Sequence, residues 1–69
     1  MEIKITKDID IFGYKMPVGA TAKKTGDNVV LLISENKNGA YASFPLSTID
    51  RFGKSADEVM SEIENQLTN

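Results

Sequence analysis

An apolar run, Val29-Val30-Leu31-Leu32-Ile33, leads through Glu35-Asn36-Lys37-Asn38-Gly39 into Ala40-Tyr41-Ala42-Ser43-Phe44. Asn-Gly between two such stretches is the strongest short-range signal for a β-hairpin, because both central residues of a type I′ turn need positive φ. The pattern predicts strands over residues 28–34 and 40–45. Side chains alternate across a strand, so Ala40, Ala42 and Phe44 face one way and Tyr41 and Ser43 the other. Residues 29–33 are apolar at both parities, which suits a central strand covered on each side or a strand at a subunit interface. Val30, Leu32 and Tyr41 are the candidate self-association residues, and a homo-oligomer is expected.

The rest of the chain supplies partners for this hairpin. Ile3, Ile5, Ile9 and Ile11 stand at odd positions with Lys4, Thr6, Asp8 and Asp10 between them, a period of two that predicts a half-buried strand over residues 2–11. Gly13 to Pro17 interrupt it, since Pro17 has no donor for a ladder. Val18, Ala20 and Ala22 resume the alternation over residues 18–24, and Thr25-Gly26-Asp27-Asn28 supplies a tight reversal.

Ser55-Ala56-Asp57-Glu58 is a capping box, in which the serine hydroxyl and the glutamate carboxylate satisfy each other's backbone amides at a helix start. Ala56, Val59, Met60, Ile63 and Leu67 form one apolar stripe of a helix over residues 55–67. The order implies an α+β fold: one domain over residues 1–69, a small antiparallel sheet of about four strands, packed against one C-terminal α-helix.

At 69 residues without cysteine or histidine, stability must come from packing. A chain this short buries only about 60% of its unfolded surface, and no disulfide or thiolate or imidazole metal site can add to that. No signal-like apolar run follows a basic start, and nothing approaches the length of a membrane span, so a soluble cytoplasmic protein is expected. The net charge of −2 hides an asymmetry. All Lys and Arg lie within residues 1–54, whereas residues 55–69 carry Asp57, Glu58, Glu62 and Glu64 and no base. These four carboxylates are the candidate partner-binding residues, facing a basic protein.

The inventory for catalysis is poor, and no enzyme activity and no cofactor are expected. No histidine is available as acid, base or ligand, and no serine sits in a nucleophile elbow. Asp8 and Asp10 are read as the wet side of a strand and not as a metal site, because hard cations need more oxygen ligands. Ser34 to Gly39 echo a calcium loop, but Ser34 replaces the first acid and Pro45 stands where a bidentate Glu belongs. Tyr14, Lys23, Lys24 and Tyr41 are an alternative surface for single-stranded nucleic acid, which needs cations and stacking rings together. The sequence pI of about 4.9 argues against that alternative.

Residues 28–67 resemble the HicB family of antitoxins, through Val29 to Ile33, Asn38-Gly39, Tyr41, Phe44-Pro45 and Gly53-Lys54-Ser55-Ala56-Asp57-Glu58-Val59. After Phe44-Pro45 the family continues into a Leu-Pro-Gly-Cys segment and a third strand. Here Leu46 to Phe52 follow instead, and the spacing of Ile49 and Phe52 suits a helical turn. The resemblance implies the toxin-neutralising module without its DNA-binding half, a non-enzymatic inhibitor that covers the active surface of an RNA-cleaving HicA-type toxin. A phage or mobile-element inhibitor of a host defence enzyme fits the same features.

Overall fold

A computed structural model describes residues 1–69. It contains strands β1 (Glu2–Lys4), β2 (Asp10–Ile11), β3 (Tyr14–Lys15), β4 (Thr21–Gly26), β5 (Val29–Glu35) and β6 (Tyr41–Ser47), then helices α1 (Thr48–Phe52) and α2 (Ala56–Thr68). β1, β4, β5 and β6 form an antiparallel sheet in the order β1-β4-β5-β6, and β2 with β3 makes a separate ribbon. The fold is α+β, with α2 packed on one face of the four-stranded sheet. No helix is long and apolar enough to cross a membrane.

The hairpin and the capped helix form where the sequence marks them, but the hairpin turn is not the expected type I′: Gly39 alone takes a positive φ (80°), and its N–H donates to Asn36 O, so Lys37 and Asn38 are the central residues and Gly39 follows them in the left-handed region. Asn36 Oδ1 accepts from the backbone N–H groups of Asn38 and Ala40, closing the β5–β6 turn. Ser55 Oγ accepts from Glu58 N–H at 3.3 Å, but the Glu58 carboxylate meets the Ser55 hydroxyl rather than its amide. Ala56 N–H donates to Asp27 O at 2.7 Å, which ties the start of α2 to the β4–β5 turn.

The expected strand over residues 2–11 is broken in two. The pairing with the β4 segment ends at Ile5, whose N–H donates to Ala20 O while its carbonyl accepts from Gly19 N–H, and beyond it Met16 N–H donates to Ile9 O. These bonds carry the segment beneath α2, so Ile5, Ile9 and Ile11 are all buried although they do not share one strand. Likewise the strand expected from Val18 starts at Thr21, because Gly19 turns the chain at φ 94°. Val18 is consequently 54% exposed.

The core gathers Ile5, Ile9, Ile11 and Met16 from the N-terminal segment, Ala22, Val30, Leu32 and Leu46 from the sheet, and Ala56, Val59, Met60 and Ile63 from α2. After Pro45, β6 continues to Ser47, whose side chain then caps α1 by accepting from Asp50 N–H at 3.3 Å. Gly53 ends α1 in the left-handed region at φ 67°, where a β-carbon would be strained, and its N–H bonds back to Ile49 O. The helical turn expected from Ile49 and Phe52 is α1.

Candidate functional site

Cross-strand register decides which side of each strand meets α2. Val30 pairs with Lys24 and Leu46, and Leu32 with Ala22 and Phe44, so these residues share the α2 side. Val29, Leu31 and Ile33 project from the opposite face, beside Thr21 and Lys23 on β4 and Ser43, Pro45 and Ser47 on β6. Nothing in the chain covers that face. The self-association set is corrected accordingly: Val30 and Leu32 are enclosed within the single chain, and the half-buried odd-numbered residues of β5 are the accessible ones. Tyr41 remains on the surface, 74% exposed, on the open face opposite Glu35.

The β5–β6 hairpin also projects beyond the body. Residues 34–45 are exposed without interruption. Phe44 is turned toward the α2 layer yet is 52% exposed, because α2 rests on β1, β4 and β5 and does not reach β6. Beside it an open cleft of about 400 Å³ runs between Phe44 to Ser47 and Asp50 and Arg51. Over residues 41–45 the outer strand of the sheet is therefore bare on both faces and along its edge, while Leu46 enters the core.

The four carboxylates of α2 do not make one surface. At about 100° per residue, Glu58 and Glu62 lie on one flank of the helix, and Asp57 and Glu64 on the other. Asp57 forms an ion pair with Lys24 at 2.8 Å. Glu62 accepts from Gln66 Nε2, which also donates to Asp10 O, while Gln66 Oε1 accepts from Asp10 N–H. Glu62 thus orients the amide that fastens α2 to β2. Only Glu64 of the four makes no side-chain hydrogen bond or ion pair within the chain.

The alternative nucleic-acid set is dispersed as well. Lys23 and Tyr41 share the open face on separate strands, Lys24 is on the α2 side, and Tyr14 belongs to the β2–β3 ribbon. Asp57 is thus taken from one candidate surface by Lys24 of the other. Asp8 is outside any strand, and Asp10 Oδ1 accepts from Gly13 N–H at 2.8 Å. No three acidic side chains converge on a spacing that holds a metal ion.

The hydrogen bond to Asp57 raises the Lys24 pKa above its ordinary value, with smaller contributions from the Asp57 and Asp27 charges. A base whose folded pKa is raised stabilises the fold below its unfolded pKa and loses that contribution as pH rises through the folded value. Asp57→Asn is therefore expected to be slightly less stable than wild type at neutral pH and to converge with it above the lysine range. Urea midpoints measured across alkaline pH check this, and a gap that widens with pH would contradict it.

One cluster had no forerunner in the pattern of the sequence. Phe12 and Gly13 form the β2–β3 turn with φ values of 49° and 87°, the type I′ geometry. A phenylalanine in the left-handed region is a backbone outlier costing roughly 1–2 kcal/mol. Its ring lies 5.9 Å from that of Phe52, which also meets Tyr14 edge-on at 6.0 Å. Lys54 sits over Phe12 at 4.9 Å and Arg51 over Tyr14 at 5.1 Å. Gly13 between apolar and aromatic neighbours was the only available signal, and no propensity places Phe at the first position of such a turn. The cluster fastens the ribbon to α1.

No protein-family model, no curated protein and no solved structure matches this chain.

Proposed function

We propose that this chain is a non-enzymatic protein-binding module that inhibits a partner enzyme by covering it. The observation that carries the reading is the uncovered face of the sheet. Val29, Leu31 and Ile33 form an apolar line along β5, with Pro45 and Tyr41 beside it and Lys4, Glu2 and Lys23 along its margin. An apolar centre with a charged margin is the composition of a protein interface. The occupant is a protein surface with a complementary apolar patch.

The most specific version is toxin neutralisation of the HicB kind, with a basic RNA-cleaving enzyme as the covered partner. It is supported by the hairpin of β5 and β6 and the capped α2, which stand at the chain positions where the resemblance sets them. The acidic helix is the weaker contact surface, since Asp57 and Glu62 are engaged within the chain.

Immobilised wild type, Leu31→Lys and the triple variant Glu58→Lys, Glu62→Lys, Glu64→Lys are compared as baits in lysate of the native host, each checked for folding by circular dichroism. The expected result is a protein retained by wild type and by the triple variant and lost with Leu31→Lys. Loss with the triple variant alone would move the interface to α2. Retention of nuclease-sensitive material alone would overturn the inhibitor reading.

A further inference from the structure

β6 is an edge strand without the usual protection. Edges are kept from pairing by charge, shortness or bulges. The opposite edge, β1, is three residues long and carries Glu2 and Lys4. β6 is seven residues long and carries no charge. Its one guard is Pro45.

The direction of each backbone group on this edge follows from two hydrogen bonds. Asn36 N–H donates to Ala40 O, and Thr48 N–H donates to Asn28 O. Antiparallel ladders alternate between bonded and non-bonded pairs, so the even residues of β6 bond to β5 and the odd residues turn outward. Tyr41 and Ser43 therefore offer free N–H and C=O groups, and Pro45, also outward, offers only a carbonyl.

We infer that β6 pairs antiparallel with β6 of a second copy about a two-fold axis beside Ala42, extending the sheet across the dimer. In this register Tyr41 and Ser43 of the second copy exchange both their hydrogen bonds, and the symmetric pair does the same. Pro45 then falls opposite Gly39 of the second copy, past the end of its strand, where no donor is needed. A two-fold at Ser43 instead would set Pro45 against Tyr41 and leave both Tyr41 carbonyls without donors.

Side-chain sizes agree with the axis at Ala42. On the open face Tyr41 meets Ser43, and on the α2 side Phe44 meets Ala40 while Ala42 meets its own copy. The bare ring of Phe44 gains a small-residue floor. The inference is independent of what the open face binds; pairing at the edge leaves that face free and joins two of them.

The chain contains no cysteine, so a single introduced thiol reports the register directly. Ala42 and its copy form a non-bonded pair with Cα atoms about 4.5 Å apart, within the range a disulfide spans. Mild oxidation of Ala42→Cys is expected to give a covalent dimer, while Ser43→Cys stays reduced. By sedimentation, wild type is expected to double in mass with rising concentration, and Ser43→Pro to remain monomeric. That proline leaves the β5 ladder intact, as Pro45 does, so its circular dichroism is unchanged. Wild type that stays monomeric at millimolar concentration, or preferential cross-linking through Ser43→Cys, would overturn the proposal.

Discussion

Ile63→Ala is expected to remove a large share of the stability of this protein and to lower its urea midpoint sharply. Ile63 is fully buried in α2 and packs into the single core formed by the N-terminal isoleucines and the sheet. Truncating a buried isoleucine to alanine costs about 2–5 kcal/mol, because the lost transfer energy is joined by the cavity left behind. A domain of 69 residues at roughly 0.05–0.15 kcal/mol per residue has about 3–10 kcal/mol in total. The substitution therefore removes a large share of what there is. Urea unfolding followed by far-ultraviolet circular dichroism measures the loss. A cost below about 1 kcal/mol, far under the usual range for such a truncation, would mean that α2 does not pack on the sheet as described.

Thr48→Val is expected to act in the opposite direction. Thr48 opens α1 just after β6 and is completely buried, and its Oγ1 has no hydrogen-bond partner in the chain. A buried hydroxyl without a partner carries its desolvation cost of about 1–3 kcal/mol uncompensated. Valine keeps the shape and the β-branch and removes the oxygen. Since 1 kcal/mol moves Tm by about 4–8 °C in a domain this small, a thermal melt resolves the change easily. Thr48→Ser, which keeps the hydroxyl and loses the methyl, is expected to lower Tm. A lower Tm for Thr48→Val would show that the hydroxyl is bonded in solution.

What could be read from the sequence divides along the range of the interactions. Asn38-Gly39 and the Ser55 box act within a few residues, and the hairpin and α2 appear where they predict. The end of the first strand at Ile5 depends on Gly19, whose N–H takes the Ile5 carbonyl, a distant partner that no local pattern names. The isoleucine alternation nonetheless picked out Ile5, Ile9 and Ile11, which are buried, and Ile3, which is half-buried against the same core. In residues 29–33 both parities are apolar, so the pattern could not say which would face the helix. That was settled by Ala22 and Leu46, the cross-strand neighbours of Leu32 and Val30. The carboxylates of α2 were grouped by composition, although their spacing already assigned them to two flanks. Their internal partners, Lys24 and Gln66, became visible only in three dimensions.

The placement of α2 bears on how the molecule comes into being. Its buried residues, Ala56, Val59, Met60 and Ile63, are the lid over Ile5, Ile9 and Ile11 from the other end of the chain. During synthesis the β4-β5-β6 meander can assemble from near neighbours as it emerges, whereas the isoleucines must wait, uncovered, for residues 56–67. A chain stopped short of Ile63 would therefore display its own core. Such a product would be a substrate for chaperones and proteases rather than a smaller version of the same protein.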